Sequence, residues 1–204
     1  MPNRVTAITP QKKNRQRFNV FINEAYAFSL PAKLAMTIAP GDILSAGRMD
    51  ALKNDGEIDL AFDKALYYLK FRPRSTAEIT RYLAGKDFGA KTIEAAVKRL
   101  EHYDYIDDAA FARFWVESRE KNNPKGVFAL QYELRQKGID AQIIEKALAQ
   151  YDERGPAWQA VSAKLSGWSK LPEFERKVKI YNFLKQRGFA LETCEFVFAK
   201  ASGK

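Results

Sequence analysis

One segment recurs three times in this chain, and it constrains the fold more than any other feature. The copies are Leu83-Ala84-Gly85-Lys86-Asp87-Phe88, Leu134-Arg135-Gln136-Lys137-Gly138-Ile139 and Leu184-Lys185-Gln186-Arg187-Gly188-Phe189. Their leucines lie 51 and 50 residues apart, and the apolar residues downstream keep the same register. Self-similarity at a fixed period is typical of tandem structural repeats. We therefore predict three three-helix repeats, at residues 58–105, 106–152 and 153–204.

Local signals mark the helix ends within these repeats. Ser75-Thr76-Ala77-Glu78 has the pattern of a capping box, in which the serine and the glutamate bond each other's backbone amides. Asp107-Asp108 is expected to cap the first helix of the second repeat. Asp87, Gly138 and Gly188 fall where a left-handed residue ends the middle helix, a position that suits glycine best and tolerates aspartate.

The first 57 residues are expected to fold differently. Apolar residues alternate at Phe18–Ile22 and at Tyr26–Leu30, and Asn23-Glu24 lies between them, which predicts a β-hairpin with a two-residue turn. Val5–Thr9 is expected to add an edge strand. Two short helices, near residues 31–38 and 45–53, then lead into the repeats. The predicted fold class is mainly all-α, with a small hairpin and helical segment at the N-terminus.

Positive charge is concentrated at the two ends of the chain. The net charge is +9, and residues 154–204 hold 10 basic and 4 acidic residues, whereas residues 106–153 hold 7 and 9. A basic surface attracts phosphate backbones through counterion release, although a solvated surface has the same composition. The densest basic run, Gln11–Arg17, fits either a phosphate-binding loop or an ordinary exposed hairpin loop.

Several functional classes lack the residues that they need. One cysteine, Cys194, and one histidine, His102, allow no intramolecular disulfide and too few zinc ligands. Cys194 aligns with core positions of the other repeats and is expected to be buried. No nucleotide-binding, hydrolase or metalloprotease motif occurs, so we expect no catalysis, cofactor or metal. No secretory signal or membrane-spanning run is evident, and a cytoplasmic protein is expected.

The middle of the chain resembles the RecX family of regulatory proteins. Tyr105-Ile106-Asp107-Asp108 followed by Phe111-Ala112-Arg113-Phe114-Trp115-Val116-Glu117-Ser118-Arg119 is similar to the family's "Y-[IL]-[DN]-D" and "F-A-x-x-[WY]-V-x-S-R" segments. Lys125-Gly126 and Glu133–Ile139 resemble its "K-G" and "E-L-x-x-K-G-[IV]". Upstream, Ala65–Leu69 with Arg72 and Arg74-Ser75 resembles "A-L-x-x-L…R-x-R-S". The resemblance is strong over residues 58–150 and looser elsewhere.

This resemblance implies a non-enzymatic regulator that binds RecA, and we expect the chain to be monomeric. Members of the family lie along the groove of the RecA filament on DNA, contact several RecA protomers and restrain ATP hydrolysis and strand exchange in recombination, DNA repair and the SOS response. An array of helical repeats is compatible with this, because such arrays offer long surfaces rather than closed pockets. Contact with the backbone of single- or double-stranded DNA is expected to be weak.

The residues expected to contact RecA or DNA are cations that flank the predicted helix junctions. They are Arg72, Arg74 and Arg81 in the first repeat, Arg113, Arg119, Lys121, Lys125, Arg135 and Lys137 in the second, Arg176, Lys177, Lys179, Lys185 and Arg187 in the third, and Lys12, Lys13 and Arg15 in the N-terminal segment. For each of them the alternative is an ordinary solvated cation, and Lys137 and Arg187 also suit a helix C-terminus. Trp115 is expected in the core.

Two other functions stay open on the sequence alone. The three-helix units are also compatible with helix-turn-helix modules, which would bind duplex DNA sequence-specifically without RecA. A passive helical scaffold for an unrelated partner would leave the ATPase rate of RecA unchanged. The acidic balance of the middle repeat disfavours the first alternative, and the RecX-like motifs disfavour both.

Overall fold

A small antiparallel sheet begins the chain. The computed structural model describes residues 2–12 and 14–203, and within them the strands are β1 (Asn3–Pro10), β2 (Arg17–Ile22), β3 (Ala25–Pro31) and β4 (Ile43–Leu44), in the order β3-β2-β1-β4. The predicted hairpin is confirmed: Asn23 and Glu24 have φ of 49° and 70°, as a type I′ turn requires. The strand at Val5–Thr9 is also confirmed, but it is not simply an edge, because the unexpected β4 pairs with Asn3 and Arg4.

One long helix replaces two of the predicted helices. After the short α1 (Ala32–Ala35), helix α2 runs without interruption from Ala46 to Leu69, capped at its start by the Ser45 side chain. The expectation of a short helix near 45–53, separate from the first helix of the repeats, was wrong. Gly56 lies inside α2, and a Cβ there would be 2.6 Å from the Ser29 carbonyl oxygen. The glycine therefore permits close packing of α2 on β3 and does not end the helix.

A compact apolar core lies between the sheet and the start of α2. Val5, Val20, Leu30 and Leu52 are fully buried in it. Each side chain of this size contributes about 1.5–3 kcal/mol when it is removed from water. The hairpin and the start of α2 therefore bury their apolar side chains in a single hydrophobic cluster.

The other helices complete the three predicted repeats. The first repeat contains α2, α3 (Thr76–Ala84) and α4 (Ala90–His102), the second contains α5 (Asp108–Asn122), α6 (Val127–Gln136) and α7 (Ala141–Leu148), and the third contains α8 (Arg154–Trp168), α9 (Glu173–Lys185) and α10 (Leu191–Ala201). Asp87, Gly138 and Gly188 have φ of 63°, 76° and 77°. The predicted left-handed residue therefore follows the middle helix in all three copies.

The predicted helix caps are present. The amide of Glu78 donates to Ser75 Oγ and the amide of Ser75 donates to the Glu78 carboxylate, at 3.2 and 3.4 Å, which confirms the capping box. The Asp107 carboxylate accepts from the amides of Ala109 and Ala110. Asp107 thus satisfies backbone donors that have no partner within α5.

The chain folds as two compact units. One comprises the residues up to Pro73 together with Ile79–Tyr105, and it contains the sheet, α2 and α4. The other comprises Arg74–Glu78 together with the residues from Ile106 onward, and it contains the second and third repeats. Cys194 is fully buried in the core of the third repeat, as predicted. Among the helices of the described residues, none is both long and apolar enough to cross a membrane.

Candidate functional site

A basic cleft lies between α5 and α7 of the second repeat. Arg113 of α5 and Lys146 of α7 line it together with Ile143, and the cleft has a volume of about 460 Å³. Both cations are exposed, and the lining residues include no carboxylate. Two exposed cations beside apolar lining residues suit an acidic protein patch or a phosphate.

Arg119 and Lys137 have partners within the fold. Glu133 Oε2 accepts from Arg119 Nε at 2.7 Å and from Trp115 Nε1 at 2.8 Å. Lys137 Nζ donates to Glu78 Oε1 at 2.8 Å. The Arg119 guanidinium and the Lys137 ammonium lie 4.4 and 4.9 Å from the centroid of the Trp115 ring, within the range of cation–π attraction.

This cluster changes the interpretation of three predicted residues. Trp115 is half-buried rather than a full core residue, and its indole packs on Phe111 while cations flank it. Arg119 bonds the Glu133 carboxylate and Lys137 bonds the Glu78 carboxylate. The main role of these two cations is therefore to stabilise the fold of the second unit. Arg113, six residues before Arg119 on α5, is exposed.

Within the second unit, which includes Arg74–Glu78, carboxylates accept hydrogen bonds from the first amides of α3 and α6, at two junctions between chain segments. The amide of Thr76 donates to Asp108 Oδ1 at 2.8 Å, and the amide of Val127 donates to Glu153 Oε2 at 2.8 Å. Glu153 is only 7% exposed, and its Oε1 also accepts from the amide of Ala190. Charge-assisted bonds to helix N-termini are favourable because they satisfy free amides and oppose the helix dipole.

The same junctions bring backbone segments into direct contact. Ser75 Oγ donates to the Lys137 carbonyl at 2.6 Å, and the Gly126 amide donates to the Arg187 carbonyl at 3.0 Å. A Cβ on Gly126 would overlap the Gly188 carbonyl. Gly126 is therefore required for the close approach of the second and third repeats.

Lys125 and Arg187 lie at the second of these junctions. The Tyr151 hydroxyl donates to the Lys125 carbonyl at 2.9 Å, and burial, reinforced by nearby carboxylates, raises the pKa of Tyr151. Arg187 donates to Asn123 Oδ1 at 2.9 Å and its guanidinium lies over the Phe183 ring. Both cations are half-buried, so part of their role is to hold this junction.

The other nominated cations of the second unit differ in exposure. Lys121 and Arg135 are exposed on α5 and α6, and Lys179 and Lys185 are exposed on α9. Lys177, also exposed, has its ammonium 5.4 Å from the Tyr181 ring centroid. Two nominated arginines are half-buried: Arg74 and Arg176.

The nominated cations of the first unit do not form one cluster around the basic loop. Lys12 and Arg15 are exposed, whereas Lys13 lies outside the described residues. Arg17, the fourth cation of that run, is 2% exposed and pairs with Asp59 at 3.1 Å. Its burial corrects the hypothesis of a phosphate-binding loop with four cations. Two nominated residues remain. Arg72 precedes α3 and donates to the Pro73 carbonyl, whereas Arg81 lies within α3 and is exposed.

Comparison with known families assigns the chain. Residues 3–39 match the family described as the regulatory protein RecX N-terminal domain, residues 61–100 match the first RecX three-helix domain, and residues 107–148 match the second. A regulatory protein RecX from Bacillus pumilus is 33% identical over 210 residues, which cover 97% of this chain and 77% of that protein. The chain belongs to the RecX family. The Bacillus subtilis RecX is also 33% identical, over 92% of this chain and 73% of its own length.

Solved RecX structures share the fold. A crystal structure of regulatory protein RecX superimposes with a TM-score of 0.76 at 24% identity, covering 96% of this chain and 98% of that one. RecX from Lactobacillus salivarius gives a TM-score of 0.67 at 22% identity over 72% of this chain. At such identities the likeness concerns the fold alone.

Some of the residues that resemble the RecX motifs bond one another within the fold. Trp115, Arg119 and Glu133 bond one another, and Lys137 bonds Glu78. These motif residues hold helices together, so they explain the fold of a RecX protein better than they explain what it binds.

Sequence reasoning missed two of the residues that define this region. Lys146 lines the same cleft as Arg113 and lies in the last turn of α7, the final helix of its repeat, whereas the nominated cations of this repeat lie on α5 and α6 or next to them. Glu153 resembles any acidic residue before a helix, and its spacing from Asp108 departs from the repeat period. Within α7, the spacing of three residues between Ile143 and Lys146 is the sequence signal that places both on one helix face.

Proposed function

We propose that this chain binds the RecA–DNA filament and inhibits the ATPase and recombinase activities of RecA in recombination, DNA repair and the SOS response. The observation that carries the proposal is the match to three RecX domains in their order along the chain. The proposal includes a cytoplasmic location, a monomeric state and activity without catalysis or cofactor. A protein that binds assembled and disassembled RecA with different affinity shifts filament dynamics without any chemical step.

The cleft of Arg113 and Lys146 is the proposed contact with the filament. Its two exposed cations have no carboxylate beside them in the cleft. A partner can therefore bind them without first breaking an ion pair within the cleft. An acidic patch of a RecA protomer or a DNA phosphate supplies the opposite charge. Lys121 and Arg135, exposed on α5 and α6, extend the positive surface of the same repeat.

The test is a titration of RecA with the purified chain on single-stranded DNA, with ATP hydrolysis and strand exchange as readouts. The double variant Arg113→Glu, Lys146→Glu is expected to need at least about tenfold more protein for half-inhibition, which corresponds to about 1.4 kcal/mol, since it replaces two attractions by two like-charge repulsions. Lys91→Glu is the matched control, because Lys91 is an exposed helical lysine outside the cleft. Equal inhibition by all three folded proteins contradicts the assignment of the cleft.

The helix-turn-helix alternative gives a different pattern in the same set of experiments. It requires sequence-specific binding to duplex DNA without RecA, and random-sequence duplex would fail to compete in a gel shift. If the chain binds duplex DNA sequence-specifically and leaves the activity of RecA unchanged, the helix-turn-helix function replaces the proposed one. A passive scaffold would show neither effect.

A further inference from the structure

Exposed aromatic rings gather where α2 ends in the first unit. Phe71 is 65% exposed and Tyr67 is 64% exposed, and their rings meet edge to face with centroids 5.3 Å apart. Phe71 and Tyr105, which is 52% exposed, line a shallow groove of about 510 Å³. Large apolar rings that are grouped on a surface mark a binding site more often than rings scattered singly.

One of these rings, that of Tyr105, is held in place by a buried neighbour. Phe62 is buried, and its ring contacts that of Tyr105 edge to face with centroids 6.0 Å apart. Tyr103, also exposed, packs on the other edge of the same ring at 6.3 Å. A supported ring loses little conformational freedom when a ligand stacks on it, which favours binding.

Positive charge lines the same groove. Lys70 and Arg72 are among its lining residues, and no carboxylate is. The carboxylates closest along the chain to its lining residues, Asp104, Asp107 and Asp63, are exposed but do not line the groove. Aromatic faces beside cations are the combination that single-stranded nucleic acids require, because bases stack on the rings while phosphates meet the cations.

We propose that this groove, which we call the aromatic groove, binds single-stranded DNA by stacking unpaired bases on Phe71 and Tyr105, with Lys70 and Arg72 at the phosphates. The inference rests on the DNA contact of the proposed function and gives that contact a place and a strand preference. Duplex DNA is a poor ligand for the groove, since its bases are already stacked and paired. A protein segment is the rival occupant.

The experiment measures fluorescence anisotropy of a labelled oligo(dT) with the full chain and without RecA. Phe71→Ala is expected to weaken binding at least about fivefold, the lower end of what one stacked base contributes, and Phe71→Leu is expected to weaken it similarly, since leucine keeps apolar bulk without a ring face. Lys70→Gln is expected to lower the slope of log affinity against log salt by about 0.7, while Phe71→Ala leaves that slope unchanged.

The control is Phe174→Ala, because Phe174 is 76% exposed on α9 of the other unit; it is expected to bind oligo(dT) like the parent. Unchanged affinity in both folded Phe71 variants overturns the proposal, as does equal affinity for duplex and single strand. If the Phe71 variants lose RecA inhibition but bind oligo(dT) like the parent, the proposal is also overturned and the groove is assigned to a protein partner.

The two proposals fail in distinguishable ways. If the parent chain inhibits RecA but shows no affinity for oligo(dT), the aromatic groove is wrong and the regulatory function stands. If it binds oligo(dT) through Phe71 but leaves RecA activity unchanged, the regulatory function is wrong and the groove stands.

Discussion

Replacing Glu153 with glutamine tests how the second and third repeats are joined. The two carboxylate oxygens of Glu153 accept from the amides of Val127 and Ala190, each at 2.8 Å, and the side chain is almost completely buried. Glutamine keeps one acceptor oxygen but turns an NH₂ group toward the other amide. That amide then faces a donor instead of a carboxylate.

The expected cost follows from these two bonds. A hydrogen bond to a charged group contributes about 1.5–3 kcal/mol, so Glu153→Gln is expected to lower the free energy of unfolding by about that amount and Glu153→Ala by up to about 3–6 kcal/mol. For a chain of this length, the glutamine variant corresponds to a fall in Tm of about 3–12 °C.

Thermal unfolding by circular dichroism and amide hydrogen exchange give the two readouts. Exchange is expected to accelerate at the amides of Val127 and Ala190 in Glu153→Gln, since their acceptor is weakened or lost. Glu145→Gln is the matched control, because Glu145 is exposed on α7 and its loss is expected to change Tm little. An unchanged Tm and unchanged exchange at both amides in Glu153→Gln would refute the role of Glu153 in joining the second and third repeats.

Three further predictions concern the second unit. Gly126→Ala is expected to lower stability by about 1–3 kcal/mol in chemical denaturation, because the added methyl overlaps backbone of the third repeat; wild-type stability would contradict this. Arg119→Glu is expected to lose about 1–2 kcal/mol, because it places a second carboxylate beside Glu133, whereas Arg113→Glu is expected to unfold like the parent; equal stability of the two variants would remove the distinction. Cys194 is expected to react with a thiol reagent only as the chain unfolds, since burial raises the pKa of its thiol; rapid labelling of the folded chain would be inconsistent with that.

The contrast between Arg113 and Arg119 decides which charges a binding test should reverse. Reversing both charges together confounds binding with stability, because Arg119 bonds Glu133 while Arg113 is exposed in the cleft. The pair Arg113 and Lys146 avoids this problem.

Local chemistry allowed much of the fold to be predicted. A left-handed residue at Asp87, Gly138 and Gly188 depends only on how a helix ends, and an Asn23-Glu24 hairpin turn depends only on the alternation that flanks it. Such features are encoded within a few neighbouring residues. Because the three repeats align in sequence, a local prediction made for one copy applies to the other two.

Features that depend on packing between distant segments were not predictable in this way. Residues 54–56, Asn-Asp-Gly, are weak helix formers, yet α2 continues through them because Gly56 allows contact with the Ser29 backbone. The partners of Arg17 and Glu153 lie tens of residues away. Cation type alone therefore could not separate fold-stabilising arginines from exposed ones.

One titration tests most directly the proposal that this RecX chain restrains RecA by binding its filament. The rate of DNA-dependent ATP hydrolysis by RecA is measured against increasing amounts of the purified chain at fixed salt. The account predicts a saturable fall in that rate, weakened at least about tenfold by Arg113→Glu with Lys146→Glu. A rate that stays constant with a folded, excess protein would contradict it.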